Sequence, residues 1–406
     1  MTKLFGKHPS QPWHPSYWLA ALGAGGLSVS FFMYLMWLVP HGDYPMPTWA
    51  HVQAVLSHQA GTPAGVSTVA WLALTFMLLL AALHFVLVVW NTREQRLAKE
   101  KGEYQQFLHT PSEIQLLTQP LTLTMSVNVA FALGAVLVPG LWSVVELLFP
   151  FAILAFVLLG VWALRAYGRY FSRLLVDGGY REQEENHLSA LIVVFTFSML
   201  SVGFAAPAAM SEVALTAALA GTLSILFFVV AVVAAVVILL SGLHAMLRHG
   251  LQPKATPSIW MLVPIMTLLG IEWVRMQHGL DNHFALAIEP GKLYVTLTGI
   301  FMLQLSVMLL GFKMMQLNGY LRAHLSGQAR DPISFGLICP GVAIVVMGMF
   351  WWHLVWVDSG MVAEYGWVHW LGLGVLAIGQ FVTLITLLRL SARLLRCKPV
   401  LIASMQ

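Results

Sequence analysis

Charge is scarce in this sequence: Asp, Glu, Lys and Arg together make up only 9% of its 406 residues. An ordinary soluble domain contains about 25% charged residues. Hydrophobic residues are 59% of the chain, and its mean hydropathy is +0.78. A water-exposed surface cannot be built from this composition, so the lipid bilayer must be the solvent and the principal partner of this chain.

Cysteine is scarce as well. Cys339 and Cys397 are the only two, and the chain contains no CxxC or CxxCH pattern. This excludes a disulfide framework, a cysteine-ligated zinc or iron–sulfur site and covalently attached c-type haem. No phosphate-binding loop, nucleotide motif or nucleophile–base pair is present, and the basic residues lie in short loops between apolar runs. The sequence therefore argues against soluble-type enzyme chemistry and against nucleic-acid binding.

Long apolar runs dominate the chain. A membrane-crossing helix needs about 20 apolar residues, and without water in the hydrocarbon its backbone must be helical. The sequence therefore predicts an all-α integral membrane protein in which residues 1–406 form one ten-helix transmembrane domain. The predicted spans are 18–39, 66–90, 121–137, 142–164, 188–206, 217–244, 257–276, 293–314, 333–357 and 365–390.

The basic residues predict the orientation of these spans. With a cytoplasmic N-terminus, every Lys and Arg except Arg275 and Lys292 falls on the cytoplasmic side, as the positive-inside rule requires. The ten spans then form five hairpins, with cytoplasmic segments at 1–17, 91–120 and 391–406. The first span is long enough to cross and lacks a small-residue cleavage site, so we interpret it as a membrane helix rather than a signal peptide. The expected location is a bacterial inner (cytoplasmic) membrane.

Two short motifs accompany this topology. Residues 256–260 read TPSIW at the start of span seven, with Pro264 beyond them, and residues 334–336 read SFG in span nine. Together with the five hairpins, these motifs resemble the tellurite-resistance (TehA-type) and plant slow-anion-channel transporter family. The resemblance implies an inner ring of odd-numbered helices around an anion pore and an outer ring of even-numbered helices. It also implies that Phe335 blocks the pore and that the chain forms a homo-oligomer, a dimer or a trimer.

The chain departs from that family in its 15 histidines, which an anion pore lined by apolar and small residues does not need. Ionisable residues within spans are costly and are usually functional. His353 follows Phe335 by 18 residues, about five helical turns, so the two share a face. Tryptophans flank it and His369, either as an interfacial aromatic belt or as flat neighbours of a macrocycle. His278 and His41 are predicted at a similar depth.

Span seven adds Glu272, Arg275 and His278 at three-residue spacing, so that each residue neighbours the next on the helix. One interpretation is a Glu272–Arg275 ion pair. The other is that Arg275 holds a carboxylate or small anion through its guanidinium fork.

A second group of histidines lies near the cytoplasmic side, comprising His84, His244 and His187. Two histidine layers with few other ionisable residues are typical of b-type haems held by histidines from helices. We therefore expect two haem b groups per chain in a redox protein that transfers electrons between a periplasmic partner and quinone or an inner partner. For the outer haem, His353 is the first expected iron ligand, with His278, His369 and His41 as candidate partners and Arg275 as a propionate clamp. For the inner haem the expected ligands are His84 and His244, with His187 next.

The alternative is a passive anion channel or exporter of the TehA type in which the histidines are structural. Zinc or copper transport and proton pumping are less favoured, because Glu146 and Glu272 are nearly the only acidic residues within the spans.

Overall fold

The computed structural model describes residues 12–178, 186–286, 289–327 and 329–395. The predicted cytoplasmic tails extend beyond these residues at 1–11 and 396–406, and Cys397 lies outside the described part of the chain. Every regular element in the described residues is a helix.

Ten of these helices are long and apolar enough to cross a membrane. We number them span one to span ten in chain order. A short helix, Trp49–Leu56, lies between the first two spans. The spans are Pro15–Leu38, Ala64–Glu100, Pro111–Leu137, Leu141–Asp177, Ser189–Met210, Ala214–His249, Pro253–Phe284, Pro290–Leu317, Pro332–Val357 and Trp367–Leu394.

All ten predicted spans are therefore confirmed as helices, although several are longer than predicted. Span two continues to Glu100 and span four to Asp177, beyond the apolar run in both cases. The rest of the predicted loop 91–120 contains two 3₁₀ segments, Gln105–Phe107 and Pro111–Leu117. The extensions of spans two and four lie on the face of the molecule that carries the basic loops. We call this the basic face and the other the opposite face.

The odd-numbered spans form an inner layer. Span one contacts spans three and nine, and spans three, five, seven and nine follow one another in contact, which closes a cycle of five helices. Each even-numbered span packs against odd-numbered neighbours. In the most apolar window of each helix, 50–89% of residues are buried in the odd spans but only 17–39% in the even spans. The exposed residues of the even spans are largely Leu, Val, Ile and Phe, as contact with lipid requires.

Spans seven and nine both begin with tightly wound segments. The 3₁₀ turns Pro253–Met261 and Pro332–Leu337 precede their α-helices, and Pro264 and Pro340 each stand in the first α-helical turn. Proline is tolerated in that turn because the backbone N–H groups there lack intrahelical partners. Span nine also changes its winding at the far end, where Trp352–Val357 is π-helical.

Glycine permits a close approach between spans seven and eight. A Cβ atom on Gly311 would lie 2.3 Å from Cδ1 of Trp260, and the Trp260 indole is fixed by donating a hydrogen bond to the Met308 carbonyl oxygen at 3.0 Å. We expect Gly311→Ala to destabilise the protein by about 1–3 kcal/mol, the usual cost of overpacking. The measurement is the thermal unfolding midpoint of the detergent-purified protein.

Gly299→Ala on the same helix is the matched control, because a Cβ atom at Gly299 meets no atom within 4 Å. It should leave the midpoint close to that of the unaltered protein. Equal midpoints for the two variants would show that Trp260 does not fix the distance between these spans.

Candidate functional site

A central cavity of about 550 Å³ lies inside the cycle of odd-numbered spans. All five of these helices contribute to its wall, and span four adds residues between spans three and five. Exposed residues of the loops on the opposite face, including Asp43, Tyr44 and Asp358, line one end, so the cavity opens there. Most of the wall is apolar, and its aromatic residues besides Tyr44 are Phe32, Trp37, Phe131, Phe149, Phe156, Phe195 and Phe350.

Arg275 is the only Lys or Arg among the residues that line this cavity. Its Nη1 donates a hydrogen bond to the Val202 carbonyl oxygen of span five at 2.8 Å. A guanidinium has five N–H donors, and the carbonyl of Val202 is the one acceptor it has among the described residues. The other N–H groups of Arg275 can therefore donate hydrogen bonds to an anionic ligand in the cavity.

The Glu272–Arg275 ion pair that the sequence allows is not formed. The Glu272 carboxyl is buried and accepts a hydrogen bond from the Ser224 hydroxyl of span six at 3.1 Å. Span seven thus directs Glu272 outward to span six and Arg275 inward to the cavity. The positive charge of Arg275 remains available to a ligand because no carboxylate neutralises it on the helix.

His41 and His278 line the same cavity near its opening. The Nδ1 atom of His41 lies 2.7 Å from the Val39 carbonyl oxygen, and that of His278 lies 2.9 Å from the Val274 carbonyl oxygen. Since a carbonyl can only accept, each neutral ring carries its proton on Nδ1 and presents Nε2 as an acceptor. The sequence prediction that His41, His278 and Arg275 act at one site is thus compatible with their shared place on the wall.

Other ionisable groups surround the opening. Partial desolvation at the rim of the opening, followed by the nearby Glu364, raises the pKa of the Asp358 carboxyl. Burial and the neighbouring His41 lower the pKa of His51, whose ring centroid lies 6.5 Å from that of His41. The opening therefore combines carboxyl and imidazole groups.

A second, smaller cavity of about 60 Å³ lies towards the basic face. Its polar lining includes Gln115, whose buried Oε1 atom has no hydrogen-bond partner among the described residues. Three residues line both cavities and therefore form the partition between them: Phe195 of span five, Pro264 of span seven and Cys339 of span nine. Sequence reasoning missed this partition, because nothing distinguishes Phe195 from the other phenylalanines of the chain.

Phe335, the residue expected to block a pore, lies elsewhere. Its side chain is fully buried, and its ring centroid is 6.4 Å from that of Tyr17. Its neighbours Ile333 and Gly336 line the smaller cavity, whereas Phe335 lines neither cavity. In this structure Phe335 packs between helices and does not face the central path.

His353 and His369 form a buried pair, as their predicted common depth suggested. Their Nε2 atoms lie 3.1 Å apart, and the His353 ring stacks on Trp37 with a centroid distance of 4.8 Å. Trp37 lines the cavity, whereas neither histidine does. His353 therefore lies behind Trp37 rather than on the cavity wall itself.

The hydrogen bonds of the pair determine its protonation. His369 Nδ1 accepts from the Tyr365 backbone N–H at 2.9 Å, and His353 Nδ1 donates to the Met349 carbonyl oxygen at 2.8 Å. His369 Nε2–H must then donate to His353 Nε2. A metal–imidazole bond is about 2 Å long, so two axial nitrogens stand about 4 Å apart. The observed separation leaves no room for haem iron between these rings.

His84, His187 and His244 lie near the basic face. His84 is buried, with Nδ1 2.7 Å from the Ala21 carbonyl oxygen and Nε2 2.8 Å from the Ser126 hydroxyl. His187 Nδ1 accepts from the Ser189 N–H, and burial lowers the pKa of His187. His244 is exposed on span six. Both nitrogens of His84 are thus occupied by protein groups, and the three rings have separate surroundings.

No three His, Cys, Asp or Glu side chains within the described residues are arranged to hold a metal ion. Comparisons of this chain with protein-family models, with curated proteins and with solved structures found no match.

Proposed function

We propose that this chain is a membrane anion transporter or channel whose ligand binds in the central cavity at Arg275. The observation that carries the proposal is an unneutralised guanidinium on the wall of a cavity enclosed by five membrane helices. A charged residue within a span is costly and is usually retained for function. Arginine is also the side chain best suited to bind carboxylates and oxyanions through paired hydrogen bonds.

The packing of the helices supports the resemblance to the TehA-type family. A cycle of odd-numbered spans with even-numbered spans outside it is what that family's arrangement implies. The two cavities lie one after the other between the faces, separated at Phe195, Pro264 and Cys339. We infer an anion path along this axis that is narrowest at the partition. By the same resemblance and the positive-inside pattern, we propose a homo-oligomer in a bacterial inner membrane with cytoplasmic termini.

We expect Arg275→Gln to reduce anion flux by about tenfold or more, because a hydrogen bond to a charged group contributes about 1.5–3 kcal/mol. The measurement is chloride and nitrate flux into liposomes that contain the purified protein. Lys292→Gln is the matched control, since Lys292 is the other cation of the opposite face and is exposed beside Glu289. It should leave the flux unchanged. Equal flux in the Arg275→Gln variant and the unaltered protein would contradict a role for this guanidinium.

A b-type haem in the larger cavity is a second candidate, favoured by the shared position of His41, His278 and Arg275 on its wall. In this proposal Nε2 of His278 or His41 would bind the iron, and Arg275 would hold a propionate. The haem would supply one-electron chemistry, with quinone or a periplasmic protein as the electron partner. One such group is proposed rather than two, because His353 Nε2 lies in hydrogen-bond contact with His369 Nε2 and both nitrogens of His84 bond protein groups.

The purified protein should then show a Soret band and about one haem per chain by pyridine haemochrome. His278→Ala should remove or shift that spectrum, whereas His84→Ala should leave it unchanged because both nitrogens of His84 bind protein groups. A colourless protein after expression with added haem precursor would exclude this second candidate.

A further inference from the structure

The volume of the larger cavity indicates the size of its ligand. At about 550 Å³ it falls within the range of pockets that bind small organic molecules, about 300–1,000 Å³. A water molecule occupies about 30 Å³ of liquid, and a simple inorganic anion is of similar size. A site for such an ion alone would need only a small part of this space.

The side chains of the cavity wall indicate that the main part of the ligand is apolar. Six phenylalanines and Trp37 face the cavity, together with a set of flexible methionines from spans one, three and five. Methionine side chains adapt to apolar ligands of irregular shape and make favourable contacts with aromatic rings. These methionines are Met33, Met36, Met125, Met199 and Met210.

The polar groups are concentrated at one end. Arg275, His278 and Asn282 occupy the last turns of span seven near the opening, whereas Pro264 of the same helix lies at the partition. Eleven residues of helix separate Pro264 from Arg275, about 16 Å at 1.5 Å per residue. A ligand can therefore place an anionic group at Arg275 and an apolar body in the deeper part of the cavity.

The opening favours anions with an apolar body over simple anions. Asp43 and Asp358 line it, and like charges there oppose the entry of any anion. A ligand with an apolar body offsets this repulsion by burying hydrophobic surface, whereas chloride or nitrate gains nothing of that kind.

We infer that the larger cavity binds an amphipathic organic anion, an aromatic or alkyl body that carries one carboxylate or sulfonate. This inference rests on the proposed function, since it names the substrate class of the same site. The anionic group bonds Arg275, and the body packs among the phenylalanines and methionines.

The test is calorimetric titration of the full-length protein in detergent with 2-naphthoate, each titration corrected against protein-free micelles. The neutral analogue 2-naphthylmethanol and sodium chloride are titrated in parallel. We expect saturable binding of one naphthoate per chain, at least about tenfold weaker binding of the alcohol, and no competition by chloride at equal concentration. Arg275→Gln should weaken naphthoate binding by about tenfold or more, and Lys292→Gln should not.

A second variant tests the cavity without removing the charge. Ala152 lines the wall from span four, and Ala152→Phe should fill part of the space and abolish naphthoate binding while Arg275 stays in place. Equal affinity for naphthoate and its alcohol, or undiminished binding by the Ala152→Phe protein, would overturn the inference. If naphthoate does not bind but chloride flux still depends on Arg275, the inference fails and the proposed function stands. Naphthoate binding without flux of any anion would overturn the transport proposal and keep the binding site.

Discussion

Phe195→Ala is expected to increase anion flux through this protein by at least about tenfold. Phe195 is the largest side chain of the partition, and it lines both cavities together with Pro264 and Cys339. Truncation to alanine removes the phenyl ring and should join the two cavities into one path between the faces. Lowering a barrier by about 1.4 kcal/mol raises a rate tenfold. We expect removal of the phenyl ring to lower the free-energy barrier at the partition by at least this amount. Chloride and nitrate flux into liposomes is the measurement.

Phe335→Ala is the matched control. The family resemblance assigns the blocking role to Phe335, whereas the structure buries Phe335 near Tyr17 and outside both cavities. We therefore expect Phe335→Ala to leave the flux near that of the unaltered protein. An increase in the Phe335→Ala protein without one in the Phe195→Ala protein would place the barrier at span nine and contradict the path described here.

The reactivity of Cys339 provides a second measurement of the same path, since Cys339 carries the one thiol among the three partition residues. In a Cys397→Ser background, a small methanethiosulfonate reagent should react with Cys339 faster when Phe195 is alanine. The same reagent should then reduce the increased flux. Unchanged reactivity would mean that removal of the Phe195 ring does not open the partition.

The helices could be predicted from the sequence because their cause is local. A run of about 20 apolar residues in lipid has only one way to satisfy its backbone, so composition alone identifies each span. The ends of the helices could not be predicted in the same way. Span two continues to Glu100 through polar residues, since a helix that leaves the bilayer can still satisfy its hydrogen bonds internally while its side chains meet water.

The candidate site could be predicted in part. Arg275 was singled out because a cation within a span is costly, and the structure places it on the cavity wall. Counting regular helical turns from Phe335 predicts that His353 lies on the same face of span nine as Phe335. The inward direction of His353 then depends on Phe335 facing the central path, and Phe335 lines neither cavity.

The path itself depends on packing between distant spans. Phe195, Pro264 and Cys339 line the same partition only because span seven packs against both span five and span nine. No periodicity within one helix carries that information. For the same reason the sequence could suggest that His353 and His369 lie at one depth but could not show that their nitrogens bond each other.

That buried histidine pair leads to the second large effect. His369→Ala should destabilise the protein by several kcal/mol, because it removes a fully buried ring together with the partner of one buried and one partly buried group. The Tyr365 N–H loses its acceptor and His353 Nε2 loses its donor, and each unpaired buried group costs about 1–3 kcal/mol. The thermal unfolding midpoint in detergent measures the change. His244→Ala is the control, since His244 is exposed, and its midpoint should remain close to that of the unaltered protein.

The double variant His353→Ala/His369→Ala separates this structural role from a role in binding a cofactor. Two residues in direct contact should show a coupling energy of about 0.5–3 kcal/mol, so the double variant should be less destabilised than the sum of the single variants. The reason is that removing His353 also removes the acceptor that His369→Ala leaves unpaired. Under the structural interpretation the absorption spectrum of the protein does not change in any of the three variants. Loss of a Soret band in the His369→Ala protein, with additive effects on stability, would instead show that these rings separate to bind haem iron.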